Sequence, residues 1–281
     1  MAISQNFMMH FGNKKYLIIV LILFSLFFLT KKKEFKYDEN ILNLLKNNEY
    51  KYIAHAGGGI NNVTYTNSVE AVSQSIERGF KLIEIDLMET TDGIFVGVHD
   101  WLSFKKMSNS LSIDINAISY KEFKKKKLLN KYKPITVEEI NKIFHINKDL
   151  ILITDKSNNF KKILKDFKFD HSRIIVEIFG KKNYFKAIKL GITNPMFSAY
   201  HKDYDFIIKN DIKLVAASIK DIKNHKEIYR NLIKKNIIVF AYTANGGSFV
   251  NENFGKLFTS VYTDFWDFRS NTCVSKKCTT N

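Results

Sequence analysis

The chain has 281 residues, 45% of them hydrophobic, with only two prolines, which is enough apolar sequence for a folded core and excludes a disordered chain. Its 44 Lys and Arg against 28 Asp and Glu leave a net charge of +16. Such a surplus suits nucleic acid, an anionic membrane or a phosphate-rich polymer. Here the lysines are spread along the whole chain among abundant Asn and Ile, with no aromatic-interleaved basic module and no zinc spacing, so nucleic acid is not the expected partner.

Residues 1–15 form a short tail. Residues 16–29 read YLIIVLILFSLFFL, between Lys14-Lys15 and Lys31 to Lys33. The run is too apolar for a soluble surface but shorter than the ~20 residues of a comfortable span. No small-x-small cleavage signal follows it. Residues 16–30 are therefore expected to be an uncleaved membrane anchor, with a signal-peptide core as the alternative. The basic residues on both flanks do not orient it. Residues 31–50 read as a polar linker or stalk with a weak helical pattern at Ile41, Leu44 and Leu45, and the globular domain is expected from about Lys51 to Phe268. Residues 269–281 form a tail holding both cysteines, Cys273 and Cys278, spaced either for a small disulfide loop or as two free thiols.

Between the linker and the tail, strand and helix signals alternate. Strands are expected at 51–56, 82–87, 95–98, 150–155, 174–178, 196–199, 214–217, 237–242 and 261–262. Helices are expected at 68–78, stopped by Gly79, at 136–144, opened by a Thr136/Glu139 capping box, and at 184–190 and 227–235. This alternation and length predict an α/β fold, a (β/α)8 TIM barrel, with a doubly wound sheet as the alternative. Nine strand candidates compete for eight places, and 196–199 and 214–217 are the weakest. Gly57-Gly58-Gly59 follows a strand but lacks the G-x-G-x-x-G spacing of a dinucleotide site.

The chemistry concentrates in residues 52–101. In the strand 82–87, Ile83, Ile85 and Leu87 alternate with Leu82, Glu84 and Asp86, which places both carboxylates on the inner face. Two acids side by side in a buried strand repel each other and lose hydration, so a cation or several donors must compensate. A hard divalent cation, Ca2+ or Mg2+, fits oxygen ligands. An Asp or Glu pairing with Lys or Arg is the plainer alternative. Asp155, ending the apolar strand LILIT, is a third candidate ligand. Lys156 beside it would face a phosphate only if the strand has already ended. His55 and His99 are read at C-terminal strand ends, the active-site face of a barrel, and suit general acid and base work. Asp100 either orients His99 or caps the next turn. His10, His145, His171, His201 and His225 lack comparable neighbours and read as ordinary residues.

These residues resemble the glycerophosphodiester phosphodiesterase family. The likeness runs through His55 and Gly57, Asn67-Ser68, Glu84-Ile85-Asp86, Thr91-Asp92-Gly93 and His99-Asp100. It continues in the helix start at residues 134–139, in Tyr242-Thr243-Ala244-Asn245 and in Thr263-Asp264. The resemblance implies a TIM barrel that hydrolyses glycerophosphodiesters to glycerol 3-phosphate and an alcohol. It implies His55 and His99 as the acid/base pair, a divalent cation on Glu84, Asp86 and a fourth-strand acid, and substrate contacts from Gly57, Asn67, Lys156 and Tyr242. Three positions depart from the family pattern: Ala56 stands for Arg, Thr66 for Glu, and Asp155-Lys156 for Glu-x-Lys. The departures leave open phospholipase-like cleavage of a lipid or polymer head group, or a non-catalytic barrel that binds phosphodiesters. A membrane-anchored catalytic domain outside the cytoplasm is the expected setting.

Overall fold

The computed structural model describes residues 35–245, 248–267 and 272–275. The expected anchor at 16–30 lies outside the described residues. Within them, no helix is long and apolar enough to cross a membrane.

Nine strands form the main sheet: β1 (Tyr52–Ala54), β2 (Leu82–Glu89), β3 (Phe95–Gly97), β4 (Ile151–Asp155), β5 (Ile174–Phe179), β6 (Asn194–Ser198), β7 (Leu214–Ser218), β8 (Ile238–Tyr242) and β9 (Ser260–Thr263). Eight of them pair in parallel in the order β1-β9-β8-β7-β6-β5-β4-β2, and β2 pairs back to β1, which closes the barrel. The ninth, β3, is antiparallel to β2, with Leu87 opposite Gly97 and Glu89 opposite Phe95. The surplus strand is thus the one at 95–98. The two weakest candidates, 196–199 and 214–217, are barrel strands β6 and β7. Their short runs could not be ranked by periodicity, because a strand buried on both faces does not alternate in polarity.

Alternation does set the two layers. Ile83, Ile85, Leu87, Leu152, Val176, Ile178, Val215, Val239 and Val261 belong to the cluster packed under the helices. Leu82, Glu84, Asp86, Ile153 and Glu177 alternate with them and turn to the barrel axis, buried but outside that cluster. The Tyr262 hydroxyl donates to Glu177 Oε2 at 3.2 Å, a bond that crosses from β9 to the strand opposite it in the barrel.

The helix Val69–Glu77 is capped by the Ser68 hydroxyl, and Val137–Ile146 opens with the expected capping box between Thr136 and Glu139. The packed unit begins at Tyr37 rather than Lys51. A helix at Glu39–Leu44, capped by Asp38, buries Ile41 and Leu42. The Tyr37 hydroxyl bonds Tyr184 and donates to the Pro195 carbonyl at 3.1 Å. Residues 37–50 are therefore part of the domain and not a free stalk. Cys273 is disulfide-bonded, and Cys278 lies outside the described residues.

Leu152 is fully buried between the barrel and its helices. Replacing it by Ala is expected to cost about 2–5 kcal/mol, for the lost apolar transfer and the cavity left behind. Urea unfolding midpoints of the two proteins check this, with an unchanged slope expected.

Candidate active site

The site forms where β2 and β4 end. Their register sets Asp86 opposite Asp155 and Glu84 opposite Ile153. Glu84, Asp86 and Asp155 each offer an oxygen within 4.8 Å of the others. Glu84 Oε2 accepts the Ala56 N–H at 2.7 Å. Asp86 is clamped by one amide: Asn67 Nδ2 donates to its Oδ2 at 2.8 Å, and its own N–H donates to Asn67 Oδ1 at 3.1 Å. Asp155 Oδ1 is buried and accepts no hydrogen bond from the protein. Burial first, and then the charge of Asp86, push the carboxyls of both Glu84 and Asp155 well above the usual range. A buried acceptor with no partner, in a cluster of anions that disfavour one another, fits a hard cation with oxygen ligands.

Lys156 faces the same cluster. β4 ends at Asp155, and Lys156 adopts φ 62°, the left-handed region, which turns its side chain back over the strand end. Its Nζ lies 3.7 Å from Asp86 Oδ1 and 3.6 Å from Asp155 Oδ2. Burial acts to lower its pKa, but the charges of Asp155, Asp86 and Glu84 outweigh that and raise it, so the ammonium stays charged. Strand alternation had allowed only one of Asp155 and Lys156 to face the site; the end of the strand allows both.

Each of the two histidines is held by an aspartate. His55 Nδ1 is 3.2 Å from Asp264 Oδ1, and Asn245 Nδ2 donates to the other Asp264 oxygen at 2.8 Å. Asn245 Oδ1 in turn accepts from the Thr263 hydroxyl and the Asp264 N–H, at 2.9 and 2.6 Å. His99 Nδ1 is 2.9 Å from Asp100 Oδ2, while Asp100 Oδ1 accepts the Ser103 N–H at 2.7 Å. Asp100 therefore orients the histidine and caps the helix Trp101–Met107 at once. A carboxylate on Nδ1 favours the proton there and leaves Nε2 as the working nitrogen. His99 does not follow a barrel strand, as had been expected. The β2–β3 hairpin returns the chain, and Val98 N–H donates to the Asp86 carbonyl at 2.9 Å, which brings the backbone just before His99 beside β2.

Gly57 and Asn67 support the site from behind. Gly57 is buried at φ 82°, a Cβ there would meet Val72 at 3.0 Å, and its carbonyl accepts from the Ser75 hydroxyl. Asn67 is buried, with its amide taken by Asp86. Tyr242, at the end of β8, has its phenol pushed up to about 12 by burial and by the charge of Glu177.

Two further residues were not singled out from the sequence. Glu177 is an acid inside the apolar strand IIVEIF, the same signal that marked Glu84, and burial raises its pKa. Tyr65 sits at φ 59°, with its ring edge-on to both histidines, at 4.6 Å from His55 and 4.7 Å from His99 between centroids. Burial, then the charges of Asp264, Asp86 and Glu84, keep its phenol neutral. No spacing in the sequence marks such a residue.

A family model, the glycerophosphoryl diester phosphodiesterase family, matches residues 55–195, just over half of the chain. The chain belongs to this family. Glycerophosphoryl diester phosphodiesterases are hydrolases acting on phosphoric diesters, and this chain is one of these enzymes by family. Among solved structures, the chain is similar to a glycerophosphoryl diester phosphodiesterase from Parabacteroides distasonis at 16% identity and TM-score 0.65, covering 82% of this chain and 89% of that one. A glycerophosphodiester phosphodiesterase from Thermotoga maritima aligns at 21% identity and TM-score 0.60, over 76% and 93% of the two chains. An Oleispira antarctica phosphodiesterase, solved in complex with the product sn-glycerol-3-phosphate, aligns at 17% identity and TM-score 0.62, over 76% and 92%. At these identities the likeness shows the barrel fold. No curated protein matches the chain.

Raised carboxyl pKa values have a consequence for stability without a cation. Glu84 and Asp155 bind protons more readily folded than unfolded. Stability in EDTA is therefore expected to fall as pH rises from the ordinary carboxylate range through the raised folded-state values. Urea midpoints across that range check this, and Glu84→Gln is expected to flatten the dependence.

Proposed function

We propose that this chain hydrolyses glycerophosphodiesters to glycerol 3-phosphate and an alcohol. In this reading His55 and His99 act as acid and base, at a divalent cation held by Glu84, Asp86 and Asp155. The observation that supports it most is the convergence of those three carboxylates, one with an unpartnered buried oxygen, in a barrel that also carries two aspartate-held histidines. A cation there supplies charge neutralisation for the phosphoryl oxygens and fixes the phosphate. Mg2+ or Ca2+ fits the all-oxygen set.

The protein's own groups then divide the proton work. One histidine Nε2 takes the proton of the attacking hydroxyl or water as the new P–O bond forms. The other gives a proton to the leaving oxygen as the old P–O bond breaks. Asp264 and Asp100 hold the two rings in place for this exchange. Lys156 lies close enough to the acids to pair with a phosphate oxygen bound beside them, a contact that suits the absence of a side-chain donor at Ala56. Tyr65 packs edge-on against both rings and helps to hold them.

The setting is part of the same proposal. The apolar run 16–29 would hold the enzyme on a membrane, with the barrel outside the cytoplasm, where glycerophosphodiesters or glycerol-phosphate head groups are its substrates. The chain's positive charge suits such anionic partners.

Glycerophosphocholine hydrolysis is expected to need a divalent cation and to stop in excess EDTA. His55→Ala and His99→Ala are each expected to lower kcat by about 10²–10⁴-fold. Full activity in EDTA, or unchanged kcat in both variants, would refute the assignment. Lys156→Met is expected to raise KM more than it lowers kcat, read from the same assay.

A further inference from the structure

A second group of ligating side chains lies away from the three acids. His201 opens the turn His201–Asp203 after β6, and Asp221 and His225 lie in and just beyond the helix Ile219–Asn224 after β7. Both turns follow C-terminal ends of barrel strands, so the group sits on the same rim as the active site. His201, Asp221 and His225 each offer one ligand atom within 4.8 Å of the others. We propose that they form a second cation site, for a zinc-class divalent ion, distinct from the oxygen-lined site of Glu84, Asp86 and Asp155.

The donor set decides the class of ion. Two imidazoles and one carboxylate suit Zn2+ and its d-block neighbours, whereas Mg2+ and Ca2+ take oxygen ligands. The carboxylate is already built as a ligand with support behind it. Asp221 Oδ2 accepts the His201 N–H at 2.8 Å and the Tyr229 hydroxyl, which fixes the group. Its other oxygen, Oδ1, points at both rings, 2.8 Å from His201 Nδ1 and 3.9 Å from His225 Nε2. Supporting hydrogen bonds of this kind orient metal-binding carboxylates.

The His201 and His225 rings stack with centroids 3.6 Å apart and planes 19° apart. Imidazole binds a metal ion in its neutral form. Zinc ligands sit about 2.0–2.2 Å from the ion, so closure asks that the His225 ring leave the stack and turn its Nε2 toward Asp221 Oδ1. Both histidines are half-buried, which leaves the remaining positions to water. The nearby lysines are turned elsewhere: Lys202 lies over the Tyr200 ring, and Lys223 and Lys226 lie over Phe249. A cation bound here cross-links the turns after β6 and β7 beside Tyr242, whose phenol feels the Asp221 charge.

Titration of the full chain with Co2+, followed by the visible bands of a nitrogen-bound ion, tests the site. One Co2+ equivalent is expected to give these bands in the wild type, and excess Mg2+ is expected to leave them in place. Glu84→Gln/Asp86→Asn is expected to keep them, His201→Ala/His225→Ala to lose them, and Zn2+ to displace them. Loss of the bands on adding Mg2+ to the wild type, or their survival in the double histidine variant, would overturn the proposal. The Mg2+ competition needs no variant to fold, and neither result depends on the hydrolytic role of the three acids.

Discussion

The mutual repulsion of Glu84, Asp86 and Asp155 is the constraint from which the rest of the site follows. Parallel pairing of β2 with β4 puts Asp86 beside Asp155 with no freedom to separate, and burial removes most of the water that would screen them. The surrounding backbone answers in kind. Ala56 takes a left-handed conformation at φ 50° and sends its N–H to Glu84. Asn67, also left-handed at φ 44°, spends both ends of its amide on Asp86. Lys156 leaves the strand in a third left-handed turn and brings its ammonium to the cluster. Such conformations cost about 1–3 kcal/mol each for residues with a Cβ and persist where the surroundings over-determine them. Their concentration around three acids is what distinguishes this rim of the barrel from an ordinary one.

The same constraint explains why the loop at residues 55–59 packs as it does. His55 must reach Asp264 while Ala56 reaches Glu84, so the loop is pinned between β9 and β2. Gly59 donates its N–H to the Asp264 carbonyl, and a Cβ at that position would overlap the Phe265 ring at 2.1 Å. Arg78 then donates to the Gly59 and Asp264 carbonyls from the end of the first long helix, tying the loop to the strand that holds Asp264. This arginine also donates to the Ser75 hydroxyl at 3.2 Å. It holds the segment that carries the histidine's partner in place.

Much of this was legible from residue order. The period-2 alternation of residues 82–87 assigned both acids to the inner face, and the apolar run before Asp155 marked the third. The capping box at Thr136 and the family motifs fixed the frame between them. What could not be read was the direction of β3. A three-residue strand separated from β2 by five residues satisfies the pattern of a barrel strand and of a hairpin equally, and only the pairing decides. Tyr65 and the His201–Asp221–His225 group were illegible for a related reason. The ring partners of Tyr65 come from different loops, and although Asp221 and His225 are four residues apart, in and just beyond one helix, His201 joins them from the turn after β6, which no local spacing marks. Glu177 is the opposite case, since an acid within IIVEIF carries the same signal as Glu84 and was passed over.

The departures from the family pattern become coherent once the turn at Lys156 is taken with the change at Ala56. An arginine after His55 would place a second cation at the mouth of the site, on a loop whose N–H already serves Glu84. With alanine there, the described side-chain cation beside the three acids is Lys156, which reaches them only because β4 stops one residue early. Shifting the lysine by one position and losing the arginine therefore act on the same quantity, the positive charge available to a bound phosphate. A single ammonium on a flexible stem binds phosphate as a point charge, without the two-point geometry of a guanidinium.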